Sequence, residues 1–279
     1  MIQGLRPDYP LELLLRAAGL SRSTFYYHVK ALSGQDKYAD IKSKIRTLYE
    51  HHKGRYGYRR ITAALGQAGD IINHKAVQRL MQQLGLQSVV RPKRYRSYRG
   101  SVGPIAPDLL QRQFRAQRPN QKWVTDVTEF QVNGQKLYLS PVMDLYNGEI
   151  VAWQTERRPV LRLVTGMLQT ALSRLKPSDK PLLHSDQGWQ YQQASYRKLL
   201  RDRAVTQSMS RKGNCLDNAA MESFFGTLKS EFFYLNRFDS IEQLQAGIHQ
   251  YIHYYNHERI KLKLKSLSPV QFRTQASSP

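Results

Sequence analysis

The sequence predicts an α/β protein in which all-α modules precede a mixed sheet flanked by helices. Three observations carry that reading. Apolar residues recur at helical spacing between residues 9 and 86. β-Branched and aromatic runs separated by Asn-Gly dipeptides begin at Trp123. Beyond residue 163, helical and strand patterns alternate.

The first helical stretch is "YPLELLLRAAGLSRSTFYYHVKAL" (9–32), within a module at 1–36. Leu11, Leu14, Leu15 and Ala18 share a helical face, Gly19-Leu20 breaks the pattern, and Ser21 suits the cap of a second helix. That second helix displays Arg22, Ser23, Tyr26 and Tyr27 early on, as the reader helix of a helix-turn-helix does; a plain helical hairpin is the alternative. A second helix-turn-helix-like module spans 37–88. Its first helix aligns Ile41, Ile45 and Leu48, a basic turn follows at Tyr56–Arg60, and two further helices end near Gly85. Arg59 and Arg60 in the turn, and His74, Lys75, Gln78 and Arg79 on the last helix, are candidate DNA contacts, whereas Val77, Leu80, Met81 and Leu84 suit a core.

Residues 89–121 read as a basic linker rich in Arg, Lys, Tyr, Pro and Gly, either ordering along phosphates or serving as a solvated tether. The remainder, 122–279, starts with three strand-like runs. Asn133-Gly134 and Asn147-Gly148 mark hairpin turns between them, giving an antiparallel meander. "LVTGMLQTALSRLK" (163–176) is an amphipathic helix, "PLLHSD" a buried strand, "SYRKLLRDR" a helix and "AVTQSMS" a strand. Two helices follow, around 216–233 and 240–258, and "NHERIKLKLK" (256–265) forms a basic strand or tail offering Arg259, Lys261 and Lys263 to phosphates. Three antiparallel strands, then helix, strand, helix, strand, helix, is the layout of the ribonuclease-H-like fold, a mixed five-stranded sheet flanked by helices.

Composition narrows the function classes. Of 279 residues, 43 are Lys or Arg and 21 Asp or Glu, a formal charge of +22, which favours polyanionic partners through counterion release. No apolar run approaches the roughly 20 residues of a membrane span. The N-terminal apolar run is broken by Pro7, Asp8, Pro10 and Glu12, so no membrane partner and a cytoplasmic location are expected. The single cysteine, Cys215, excludes a disulfide within the chain and reads as a small packed side chain.

Acids stand out against this basic background. Asp126 falls in the middle of the first strand, an intrusion among Trp123, Val124 and Val127 that is costly unless a cation or hydrogen bonds compensate. Asp186, in "PLLHSDQGWQY", ends the fourth strand, which in this fold lies beside the first. Glu222 lies on the following helix. Three converging acids repel unless hard divalent cations neutralise them, and two such ions about 4 Å apart can hold both oxygens of an in-line phosphoryl displacement. Asp144 and Glu129 are acidic neighbours in strands, set aside by spacing.

Fifty-nine residues separate Asp126 from Asp186, 35 separate Asp186 from Glu222, and Lys229 follows Glu222 by seven, two helical turns that place both on one face. These spacings, with "RYGYRRI" (55–61), "WVTDVTEF" (123–130), "HSDQGWQY" (184–191), "SMSRKGNCLDNAAMESFFGTLK" (208–229) and "YYNHERIKLKLKSLSPVQF" (254–272), cover nearly the whole chain. The chain thereby resembles the catalytic core of retroviral integrases and, specifically, the second reading frame of two-frame bacterial insertion-sequence transposases. The resemblance implies a DNA transposase that cleaves element ends and performs strand transfer. Asp126, Asp186 and Glu222 would be its catalytic and metal-binding acids, and two Mg2+ ions its cofactors, with Mn2+ able to substitute. It also implies that Lys229 holds a phosphate of the terminal DNA. Asn218, a turn before Glu222, positions DNA or water or caps the helix. His184 has a site-adjacent place on its strand, and Trp189 and Tyr191 support the loop, stack on an unpaired base or pack in the core. Expected partners are terminal inverted repeats, target DNA, at least a second copy on DNA, and an upstream-frame product as fusion or partner. Two rival classes remain: a non-catalytic DNA-binding regulator and a structure-selective nuclease on the same fold.

Overall fold

In the computed structural model, residues 2–33, 36–90, 106–211 and 218–276 are described; Cys215 and linker positions 91–105 lie outside them. The chain divides into two compact units, residues 1–48 and 49–279. The first holds α1 (Ile2–Leu5), α2 (Leu11–Ala17), α3 (Arg22–Ser33) and most of α4 (Ala39–His51). The turn between α2 and α3 uses Gly19 at φ +62, a conformation that costs glycine little. Ser21 Oγ accepts from the Thr24 amide at 3.1 Å, the N-cap bond its position predicts. Leu15, Phe25 and Ile45 are buried.

The second unit begins with the end of α4 and continues with α5 (Tyr58–Gln67) and α6 (His74–Gln83). Asn73 caps α6 by accepting from the Lys75 amide at 2.8 Å. Contacts divide the structure inside α4, and α5 and α6 fall in the same compact unit as the sheet. The physical reason is a buried polar hub at Glu231, the last residue of α9 (Ala219–Glu231). Its carboxylate accepts from Arg259 Nε and Nη2 at 2.7 and 2.6 Å, Tyr251 Oη at 2.9 Å and Arg60 Nη1 at 3.2 Å. Arg55 Nε donates to the Glu231 carbonyl at 3.0 Å. Tyr56, fully buried, stacks on His52 and accepts from the Ile260 amide at 2.7 Å. Burial pushes the Glu231 carboxyl up, but Arg259 and Arg60 outweigh it and hold the group below the usual carboxylate range.

The sheet contains β1 (Lys122–Thr125), β2 (Thr128–Val132), β3 (Gln135–Asp144), β4 (Ile150–Glu156), β5 (Leu182–Ser185) and β6 (Thr206–Met209). β4, β3 and the β1/β2 line are antiparallel, while β1, β5 and β6 run parallel. β1 and β2 pair with the same side of β3 in one register, Trp123 with Asp144 and Thr128 with Leu139, so six strands fill five places. The expected first strand is interrupted at Asp126 and Val127, and Asp126 stands in the break instead of mid-strand. Pro141 explains the gap. Its carbonyl faces β1, because Thr125 Oγ1 donates to it at 2.9 Å. An unbroken ladder would pair it with Asp126 and require a Pro141 N–H that does not exist.

Asn133 and Gly134, at φ +48 and +79, make the two-residue hairpin that their sequence signals. The second Asn-Gly does not. Asn147 is buried and donates to Pro269 O at 2.9 Å, so the β3–β4 turn is wider and built around long-range contacts. One sheet face packs Trp123, Val142 and Val151 against α7 (Leu161–Ser173) and α8 (Ala194–Asp202); the other packs Val124, Phe130 and Leu139 against α9 and α10 (Ile241–His257). The second half of the expected linker is docked on this unit. Leu110 is buried, and the Leu109 and Leu110 amides donate to Ser208 Oγ at 2.9 and 3.2 Å. Residues 256–265 form no strand: α10 ends at His257, and Lys261 makes an isolated bridge to Leu267 before α11 (Pro269–Ala276). Among the described residues no helix is long and apolar enough to cross a membrane.

Candidate active site

Parallel pairing places the first two acids together. β1 and β5 align Trp123 with Leu183 and Val124 with His184. Two residues further in that register, Asp126 and Asp186 leave the carboxyl ends of adjacent strands, which lie about 4.8 Å apart in any sheet. Asp186 Oδ1 accepts from the Gly188 amide at 2.9 Å, and Asp126 Oδ1 from Val127 at 2.7 Å. A Cβ at Gly188 would stand 2.9 Å from Asp186 Oδ1 and closer still to the Gln190 side chain, so a larger residue there would make both side chains shift.

The third acid comes from the first turn of α9. Asn218, just before that helix, makes no side-chain cap bond; its Nδ2 donates to Thr125 O at 3.2 Å and ties the start of α9 to the end of β1. Glu222 follows one turn later, half-buried. Burial raises all three carboxyls. Asp126 stands well above the usual range, pushed first by burial and then by the charge of Asp186, with Glu222 adding to it. Glu222 is thus felt by Asp126, yet among the described residues no three His, Cys, Asp or Glu side chains are gathered into a set that could hold a metal ion. Register pairs Asp126 with Asp186, and the charge of Glu222 acts more weakly on Asp126 than that of Asp186 does.

Lys229 lies two turns beyond Glu222, its ammonium 5.2 Å from the Phe130 ring centroid. Burial lowers its pKa, while Glu129 and Asp126 pull the other way. Glu129 pairs with Lys136 at 3.1 Å, and Asp144 is buried beside Arg273 and the Asn120 amide. His184 is buried with Nδ1 2.9 Å from Ser208 Oγ. Trp189 is 47% exposed, whereas Tyr191 is fully buried and offers no face for stacking.

The expected DNA contacts separate into surface and interior. On α6, His74, Lys75, Gln78 and Arg79 are exposed while Val77, Leu80 and Met81 are buried, the split their spacing predicts. Arg59 is exposed over the Tyr58 ring. In the N-terminal unit, Arg22, Ser23 and Tyr26 are exposed on α3. Lys263 is exposed, and Lys261 is half-buried with Nζ 3.2 Å from Gly148 O. Arg259 differs: it is 6% exposed and commits the Nε–Nη2 edge of its guanidinium to Glu231, so it serves the hub and not a surface phosphate. Arg60 shares that hub, half-buried. Sequence reading missed Thr125 and Pro141, which open the strand at Asp126, and Glu231. A proline inside a strand run was the signal for the first; nothing local marks the second.

Two models, both described as integrase core domain, match residues 116–215 and 222–276, and one described as HTH-like domain matches residues 35–94. The chain is 57% identical over 279 residues to the Escherichia coli (strain K12) protein named "Putative transposase InsK for insertion sequence element IS150", covering 100% of this chain and 99% of that protein. It is 32% identical to transposase InsF for insertion sequence IS3A, from the same organism, covering 98% and 97%. Among solved structures it is similar in fold to a chain of the simian T-cell lymphotropic virus intasome in complex with PP2A regulatory subunit B56 gamma. There the TM-score is 0.50 and the identity 17%, over 84% of this chain and 75% of that one.

Proposed function

The chain belongs to the insertion-sequence transposases that carry an integrase core domain, and we propose that it cuts the ends of a mobile DNA element and joins them to new DNA by metal-dependent in-line phosphoryl transfer. The observation that carries this reading is the register-matched pair Asp126 and Asp186, with Glu222 acting on Asp126 from α9.

The residues fit divalent ions by their chemistry. The donors are all carboxylate oxygens, hard ligands suited to Mg2+ or Mn2+. Their mutual repulsion, and the upward push on each carboxyl, is what a dication relieves. Asp126 and Asp186 would hold both ions and Glu222 one; bound there, the ions supply Lewis-acid activation and neutralise charge on the phosphate. A water attacks the phosphodiester at an element end and frees a 3′-hydroxyl. That hydroxyl then attacks a second phosphodiester, and the strand it displaces leaves. Asn218 holds α9 against β1 throughout, and Lys229 steadies a phosphate of the terminal DNA. The exposed residues of α6, with Arg59 and those of α3, bind the terminal inverted repeats. Two ends joined together call for at least two copies on DNA, with an upstream-frame product as a further partner.

Labelled element ends incubated with the protein and Mg2+ test this directly. Joined products that disappear with Asp186→Asn are expected. Cut ends without joining would reduce the protein to a nuclease, and shifted but uncut DNA to a regulator.

A further inference from the structure

Tyr191 lies in the short helical turn Trp189–Gln192 that follows Asp186. It is 0% exposed, with its ring edge-on to Tyr196 at 5.4 Å. Its backbone is held on both sides: the amide donates to Gly188 O at 3.1 Å, and the carbonyl accepts from Gln207 Nε2 at 2.8 Å. The same Gly188 donates its own amide to Asp186, so one turn fixes both residues. The Tyr191 hydroxyl, by contrast, is buried without a hydrogen-bond partner of good geometry, although the Thr125 side chain lies near it. A buried hydroxyl left so costs about 1–3 kcal/mol, and phenylalanine would fill the same space without that penalty. Tyr196 offers a comparison within the same fold. Its hydroxyl is also buried and unpartnered, but only burial acts on it, while Tyr191 stands in the field of Asp186 and then Asp126.

We propose that Tyr191 is a positioning residue for the acidic pair: with Asp186 ionised to hold a divalent ion, the Tyr191 O–H would donate to the Asp186 carboxylate and orient it. The inference rests on the metal-dependent reading above and deepens it. An unpartnered donor in the metal-free fold becomes a satisfied one in the loaded fold, as outer-shell groups do when they orient metal-binding carboxylates.

Mn2+ binding to the full chain, followed by electron paramagnetic resonance, tests this together with melting in EDTA. Tyr191→Phe should melt no lower than the wild type without metal, yet bind Mn2+ about 10-fold or more weakly. Tyr196→Phe should keep Mn2+ affinity within about twofold of the wild type, since burial alone and no acid acts on its hydroxyl. Wild-type affinity in Tyr191→Phe, or an equal loss in Tyr196→Phe, would overturn the proposal. Failure of the wild type to bind Mn2+, or undiminished binding by Asp186→Asn, would instead overturn the metal reading and Tyr191's role with it.

Discussion

Replacing Asp126 by Asn removes one charge from the acidic pair while preserving its shape, and the structure sets the direction of the outcome. Burial and the neighbouring Asp186 raise the Asp126 carboxyl, so the folded chain keeps a proton that the unfolded chain has released. A raised folded pKa contributes stability that is fully present below the unfolded value, near 3.9, and is lost as pH rises through the folded value. At pH 7.5 without metal, the wild type therefore carries an electrostatic cost, from either the retained proton or the ionised pair, that the Asn variant lacks. Two unit charges at the strand spacing of about 4.8 Å, with an effective dielectric constant of about 20, repel by about 3.5 kcal/mol. Both residues are half-buried and keep some contact with solvent, and screening reduces this to about 1–2 kcal/mol. The Asn variant should melt about 2–8 °C above the wild type in EDTA at pH 7.5, and the gap should close near pH 3.5. With Mn2+ at about 100 times its dissociation constant, the wild type should gain about 2.7 kcal/mol and overtake the variant. Lower stability of the variant at pH 7.5, or an equal gap at both pH values, would refute the electrostatic account.

Other outcomes follow from the same structure. Glu231→Gln should destabilise the fold by about 3–5 kcal/mol in urea unfolding, because it leaves buried Arg259 without its anion; a loss confined to DNA affinity would contradict the hub. His52 is pulled down to about 4, first by burial and then by His51, Arg55 and Arg60, so it stays neutral in the fold where the unfolded chain protonates near 6.5. Stability should fall by about 2 kcal/mol between pH 7.5 and pH 5 on this account, and His52→Gln should flatten that part of the slope. Lys229→Met keeps the stem over Phe130 and removes the ammonium: binding to element ends should weaken, the logarithmic salt slope should drop by about one, and the urea midpoint should not fall.

Local chemistry made much of this fold legible. Asn133-Gly134 encodes its own turn, and the helical spacing of Val77, Leu80 and Met81 separates the core face of α6 from the face carrying His74, Lys75, Gln78 and Arg79. Asp126 was readable as a costly acid within an apolar strand run, and Asp186 through its spacing to Asp126 and Glu222; parallel register then aligns the two. What escaped depends on residues far apart in the chain. Asp126 leaves its strand because of Pro141 on the facing strand, Asn147 turns inward toward Pro269, and Arg259 meets Glu231 across 28 positions. A basic composition makes every arginine resemble a phosphate contact until its partner is known. Tyr191 was legible as a motif residue, but its orphaned hydroxyl exists only in three dimensions.

The Glu231 hub has a geometric consequence for DNA. Arg55 and Arg60 fasten the approach to α5 onto the far end of the very helix whose first turn bears Glu222. On the proposed reading, in which α6 grips the terminal repeat, the duplex is then gauged against the acids by protein of set length, like a rule laid along the double helix. Five extra base pairs between the gripped bases and the cut position would turn the phosphodiester about half a revolution away, given roughly 10.5 base pairs per turn, and ten would bring it back into phase at a longer reach.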